Sequence, residues 1–256
     1  MNNKDIIIGF GKIGQALKEV LKSKYKTDIF DIKNPNTLVR KRYRIIHICF
    51  PYNNNFISEV KKYFNKFQPK IIIIHSTVEV GTTQKIIKKL NFKVIVHSPI
   101  IGQHDKLPAS IRIFTKFLGI DYPSTKIKDD NLSEFLQKYF KELDIHTVIY
   151  KDSRLTEIAK MLCLFQYGMH NLVANEAKRM CDQFDLDYNK AVLFWNETYN
   201  QGYNTFRTGI NNYERPLLIP NIEDGFGNTS IIPVNKMLYK QTKNQMVKQI
   251  IKYNNK

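Results

Sequence analysis

Three glycines near the amino terminus, Gly9, Gly11 and Gly14, stand in the stretch GFGKIGQA. This is the G-x-G-x-x-G spacing, and its chemistry is the holding of a diphosphate against bare backbone. Gly9 allows a tight turn, Gly11 lets a phosphate approach the main chain, and Gly14 lets the following helix lie close to the preceding strand. The amides of Lys12 and Ile13 then open a helix whose positive dipole end favours an anion. Asp31 closes the second apolar run, seventeen residues beyond Gly14. A carboxylate there accepts hydrogen bonds from an adenosine ribose and repels a 2′-phosphate, which favours NAD over NADP. Lys33, two residues on, works against that preference. A glycine-rich turn with no ligand is the plainer alternative.

The motif carries weight only where a strand precedes it and a helix follows. The apolar runs DIIIGF (5–10), TDIFDI (27–32), YRIIHICF (43–50), KIIIIHS (70–76) and KVIVHS (93–98) read as buried strands. IRIFTKFLG (111–119) reads as a sixth and residues 145–149 as a last one. Helical spacing fills 12–24, 54–67 and 81–90, and NLSEFLQKYFKELD reads as a helix capped by Asn131 with Glu134 three residues on. This alternation predicts an α/β fold, a doubly wound parallel Rossmann-type sheet over residues 1–150. After Tyr150 the pattern turns helical. Ile158, Met161, Leu162, Phe165, Leu172, Val173, Met180 and Phe184 recur on one side of a long helix over 153–184, as core or as a dimer surface. A second helix over about 188–200, a loop-rich stretch over 201–234 and a short C-terminal helix complete a smaller all-α domain, 151–256.

The totals bound the function. A 256-residue chain with 43% hydrophobic residues has a buried core, and no run approaches a membrane span. The start, MNNKDIIIGFG, lacks the basic-then-apolar order of a signal peptide, and three cysteines without CxxC spacing suit a reducing cytoplasm. The net charge of +17 comes from 32 lysines and only 8 arginines. Nucleic-acid readers favour arginine, and VRKRYR (39–44) is the one dense basic cluster. A solvated lysine-rich surface is therefore the main expectation, with nucleic-acid binding the lesser alternative. His97, His104 and Asp105 match no metal-ligand spacing, so no metal is expected. The stretch YNQGYNTFRTGINNYERPLLIP (199–220) reads equally as a surface loop or as a polar pocket wall with Arg207 or Arg215 for an anion.

Further turns bring a family into view. ICFPYNNN after the third strand and HSTVEVGTT after the fourth resemble the corresponding turns of the nucleotide-sugar dehydrogenases, the UDP-glucose and UDP-N-acetylmannosamine 6-dehydrogenase group. VHSPIIGQH resembles that family's next turn, and EIAKMLCLFQYGMHNLVANEAKRM its central helix, which helps form a dimer. GFGNTSIIP resembles the loop that carries its catalytic cysteine. The resemblance implies that Pro51, Ser76 and Thr77 line the cofactor, with Thr77 near the reacting carbon. It implies that Lys160 stabilises negative charge, and it sets Ser230 where the cysteine belongs and Thr229 where a histidine belongs. Leu164 stands in place of an asparagine and Ile100 in place of a glutamate. The family's third domain, which grips UDP, has no counterpart within 256 residues.

A serine hydroxyl is a weak nucleophile without an adjacent base, whereas a thiol ionises near neutrality. Oxidation by the family route thus stops short of the acid, while a single hydride transfer needs no covalent nucleophile. The expectation is an NAD-dependent homodimer acting on a sugar-like or hydroxy-acid substrate. A β-hydroxyacid dehydrogenase and a non-catalytic NAD-binding protein stand beside it.

Overall fold

The first glycine turn sits between two strands that pair in parallel. In the computed structural model, which describes residues 4–33, 42–92, 94–103, 105–121, 130–206, 214–220 and 230–253, β1 (Asp5–Ile8) leads into α1 (Lys12–Leu21) and then β2 (Thr27–Phe30). The chain crosses back over β1 to β3 (Ile45–Ile48) and continues through α2 (Phe56–Phe67), β4 (Ile71–Ile74), α3 (Thr82–Leu90) and β5 (Ile95–His97). The seven strands take the order β2-β1-β3-β4-β5-β6-β7. The strand order reverses between β1 and β3, and in open α/β sheets the crevice at that reversal receives ligands. Strand alternation splits the core. Ile7, Ile45, Ile73 and Val96 face α1, and Ile6, Ile46, Ile72 and Ile95 face the opposite layer with Phe56, Val60 and Ile86.

The α/β class holds, with one reversal. β6 (Lys116–Ile120) pairs antiparallel with β5, and β7 (Thr147–Tyr150) runs parallel to β6. The reason lies in residues 107–113, the last three of which the sequence pattern puts at the start of the strand expected over 111–119. They form α4 (Leu107–Ile113), which has a proline in its first turn and buries Leu107, Ser110 and Ile111 at helical spacing. Seven residues of helix are too short to carry the chain back across the sheet. The next strand therefore starts from the edge where β5 ended. Ile113, 79% exposed, is outside any core. Next, α5 (Asp130–Lys141) begins one residue before Asn131, so Asn131 lies within its first turn and is not its cap.

The chain divides into two compact units, Met1–Lys160 and Met161–Lys256, and the division falls within α6 (Ser153–Gln183). In the second unit a π-helical stretch, Asn189–Phe194, leads into α7 (Trp195–Thr205), and α8 (Ile231–Thr242) and α9 (Gln245–Tyr253) follow. Helix thus replaces both ends of the expected loop over 201–234, and the single C-terminal helix is two. Pro233 falls in the first turn of α8, where its missing amide proton costs no hydrogen bond. Residues 214–220 lie against the preceding helix: Asn200 exchanges hydrogen bonds with the Arg215 backbone, and Tyr188 donates to the Leu218 carbonyl at 3.0 Å.

The apolar residues of α6 do not form one stripe. Phe165 and Leu172, with Met169, pack on Ile231 and Ile250, whereas Leu162, Val173 and Met180 are exposed about a quarter turn away, and Phe184, just past the helix end, is exposed too. No helix among the described residues is long and apolar enough to cross a membrane.

A Cβ at position 14 would overlap the Gly9 carbonyl oxygen. Gly14→Ala is therefore expected to destabilise the first unit by roughly 2 kcal/mol through overpacking, seen as a lower urea midpoint at unchanged slope.

Candidate functional site

The turn after β1 is shaped for a ligand's backbone approach. Gly9 has φ 91° and donates to the Phe30 carbonyl at 2.9 Å. A Cβ there would come within 2.8 Å of the Phe50 amide nitrogen and in a strained conformation, so only glycine fits. Gly11 differs: nothing lies within 4 Å of where its Cβ would be. It is the N-cap residue of α1, and no side chain caps that helix. The first amides of α1, those of Lys12 and Ile13 among them, thus have no side-chain cap at the positive end of the helix. A diphosphate fits this ground.

Asp31 follows β2 beside the same turn. Its Oδ2 accepts from the Phe10 amide at 2.6 Å and its Oδ1 from the Lys33 amide at 2.8 Å. The Phe10 amide first, then that of Lys33, holds its pKa below the usual aspartate value. Each oxygen keeps a lone pair for a further donor. Pro51 is exposed in the turn after β3. Ser76 is buried after β4 and donates its hydroxyl to the Phe50 carbonyl at 2.6 Å, so its side chain ties two turns together. Thr77 is half-buried between two buried neighbours, Ser76 and Val78.

Lys160 lies half-buried on α6, one turn after Glu157 and on the same helix face. Sequence reading missed Glu157. It is fully buried, and its carboxylate accepts from the Gly81 amide at 2.6 Å, the Thr83 amide at 2.8 Å and the Thr83 hydroxyl at 2.7 Å. An acidic residue three before Lys160 was the available signal. Because of it, the N-terminus of α3, unlike that of α1, is already occupied by an anion.

Ser230 is the N-cap residue of α8, in the second unit. Thr229 and the rest of GFGNT lie outside the described residues, as do Arg207 and His104. Leu164 is buried, and Ile100 packs in the apolar layer with Leu107 and Ile111. Arg215 stacks its guanidinium 3.4 Å from the Tyr199 ring centroid. Both ring nitrogens of His97 are engaged, by the Thr156 hydroxyl at 2.8 Å and the Ser76 carbonyl at 3.2 Å, which leaves neither for a metal.

No family model matches the sequence, and no curated protein matches it. Solved structures do. UDP-D-ManNAc dehydrogenase from Pyrococcus horikoshii superposes with a TM-score of 0.73 at 13% identity, over 98% of this chain and 68% of that one. A UDP-glucose dehydrogenase from Pyrobaculum islandicum gives 0.71 at 10% identity, over 100% and 68%. Mycobacterium tuberculosis 3-hydroxyisobutyrate dehydrogenase gives 0.67 at 10%, over 99% and 93%. At such identities the likeness is one of fold: this chain is built as these dehydrogenases are.

Behind the site, the layer between the sheet and α1, α4 and α5 is unexpectedly polar. Arg44, from the basic cluster, pairs both ways with buried Asp5 at 2.9 and 2.7 Å, so one of that cluster's charges is internal. Lys116 is 5% exposed; its Nζ donates to the Ser98 carbonyl at 3.4 Å and lies 5.5 Å from the Phe140 ring centroid. Burial lowers its pKa to about 7. The unfolded chain, with the ordinary value of 10.5, binds the proton more readily throughout that window, so folding stability rises from pH 7 to 10.5. Lys116→Met cannot titrate. It is expected to be more stable than the native chain at pH 7, with the difference in urea midpoints shrinking by pH 10.

Proposed function

We propose that the chain is an NAD-dependent oxidoreductase that interconverts an alcohol and a carbonyl on a sugar-like or hydroxy-acid substrate by one hydride transfer. The observation that carries the reading is the open ground at Gly11 above the uncapped start of α1, with Asp31 beside it. Backbone amides there bind the diphosphate, and ionised Asp31 accepts from the ribose and repels a 2′-phosphate. Bound nicotinamide supplies the hydride acceptor or donor. The Lys160 amine takes up the alcohol proton or, as the ammonium, balances charge growing on the oxygen. The Thr77 hydroxyl orients the substrate. With Ser230 in the position that the resemblance gives to a thiol, the reaction ends at the carbonyl.

A second reading, NAD binding without turnover, is favoured by one observation. Leu164 and Ile100, which stand where the resembling family has polar residues, are buried. The homodimer belongs to the first reading and is supported by the exposed Leu162, Val173, Met180 and Phe184. Replacing Val173 and Met180 by glutamate is expected to halve the mass measured by light scattering.

Calorimetry is expected to show NAD binding at least about tenfold tighter than NADP, a gap near 1.4 kcal/mol, with Asp31→Ala closing it. NADH absorbance should grow with some member of a panel of UDP-sugars and hydroxy acids. Lys160→Ala should lower turnover about a hundredfold or more while NAD still binds. Binding without any turnover selects the second reading, and no affinity for either coenzyme overturns both.

A further inference from the structure

The first turns of α6 are anchored by polar contacts to three elements. The Ser153 amide and hydroxyl donate to Asp121, which follows β6, the amide at 3.1 Å. Thr156 meets His97 of β5 at 2.8 Å. Glu157 reaches the start of α3 through its three hydrogen bonds. Gly119 in β6 has no room for a Cβ against Thr156 and Ser153, so the helix rests directly on the sheet there. The three hydrogen-bonded contacts each fix the rotation of α6 about its own axis. Apolar packing alone leaves that rotation softer.

The Glu157 contacts differ from the rest in what they join. Gly81, with φ 87°, is the N-cap residue of α3 and ends the turn that holds Thr77. The turn is pinned before Thr77 by Ser76 on the Phe50 carbonyl and after it by buried Val78. Its far end is pinned by Glu157, and no residue of α3 itself caps that helix with a side chain. One turn further along α6, on the same face, is Lys160. All three partners of the Glu157 carboxylate are donors, which an ionised carboxylate satisfies and a neutral amide or acid does not. Burial raises the pKa of Glu157, and the Thr83 and Gly81 hydrogen bonds oppose that.

We propose that Glu157 is a positioning residue: it locks the turn bearing Thr77 to the helix bearing Lys160 so that the two act on one substrate. The proposal rests on the reading of Thr77 and Lys160 as reacting groups. A displacement on the order of 1 Å between such groups costs about a hundredfold in rate. Glu157→Gln keeps the size of the side chain but turns an N–H group toward a backbone N–H, which opens the lock at one end.

The test uses the full chain and turnover counted per NAD-binding site, so that loss of folded protein does not register. Glu157→Gln is expected to lower kcat about tenfold to a hundredfold. The KM for NAD should stay within about twofold, and hydrogen exchange at the Gly81 and Thr83 amides should quicken. Glu157→Asp, too short to span, should behave the same way. Should Glu157→Gln not fold, Thr83→Val removes one of the three contacts at nearly constant shape, and kcat should fall in the same direction by a smaller factor. Native-like kcat in a variant whose Gly81 amide exchanges faster overturns the proposal and leaves the reading of Lys160 intact. A native chain that binds NAD but transfers no hydride to any of the panel overturns the reading, and the positioning role with it.

Discussion

The closeness of α1 to the turn before it is the constraint on which this structure depends. Position 14 touches the Gly9 carbonyl so nearly that no side chain can stand there. That closeness sets the uncapped start of α1 directly on the turn, with open space at Gly11. The neighbouring turns are then drawn in by short hydrogen bonds. Asp31 holds the Phe10 amide, and Ser76 holds the Phe50 carbonyl. Four turns from four strands are thereby tied in two pairs, one on either side of the reversal of strand order between β1 and β3, where a parallel sheet leaves a crevice between diverging connections. A turn of this kind is mostly backbone, so glycines rather than charged side chains define it.

That logic explains which parts were legible in the sequence. Glycines and buried strands announce themselves, because a missing side chain and a run such as IIII have few other uses. The strands β1 to β5 and the helices α1 to α3 fall where apolar periodicity puts them, within a few residues. The stretch from Leu107 to Phe114 was not legible, although the strand expected over 111–119 is present from Lys116 on. Ile111, Ile113, Thr115 and Phe117 alternate like a strand, yet Pro108 and the helical spacing of Leu107, Ser110 and Ile111 prevail because those residues meet the α1 layer. Period alone does not say which neighbour a residue finds.

Catalytic candidates were legible only through resemblance. A lysine on a lysine-rich chain and a threonine at a strand end carry no local mark. What the sequence concealed was the support for them. Glu157 looks like one more charge on a helix surface, and only its meeting with residues 74 and 76 positions earlier makes it a buried helix cap. The long helix shows the same limit. Its apolar residues read as one stripe, and tertiary contacts divide them: Phe165 and Leu172 pair with α8 and α9, and Val173 and Met180 face outward. The helical period fixes which residues share a face, but the partner decides which face is buried.

The polar layer under the sheet was also hidden, since His47 sits within β3 and His75 directly follows the apolar β4. Their hydrogen bonds can be assigned by elimination. The Ser98 carbonyl only accepts, so the proton of His75 is on Nδ1, 2.9 Å away, and its Nε2 accepts from His47 Nδ1 at 3.0 Å. Burial, with Lys116 and Arg44 nearby, lowers the His47 pKa to about 3, so that ring has no second proton to give. The Tyr139 hydroxyl lies 3.2 Å from His47 Nε2 and 3.0 Å from Asp5 Oδ2. It has one proton for two acceptors. Donation to His47 would leave its oxygen facing the Asp5 carboxylate, lone pair to lone pair, in a medium where such repulsion is strong. Donation to Asp5 instead leaves the longer contact, to a neutral ring, without a proton. The layer thus concentrates its negative charge on Asp5, where Arg44 already meets it, and stays neutral at the imidazoles.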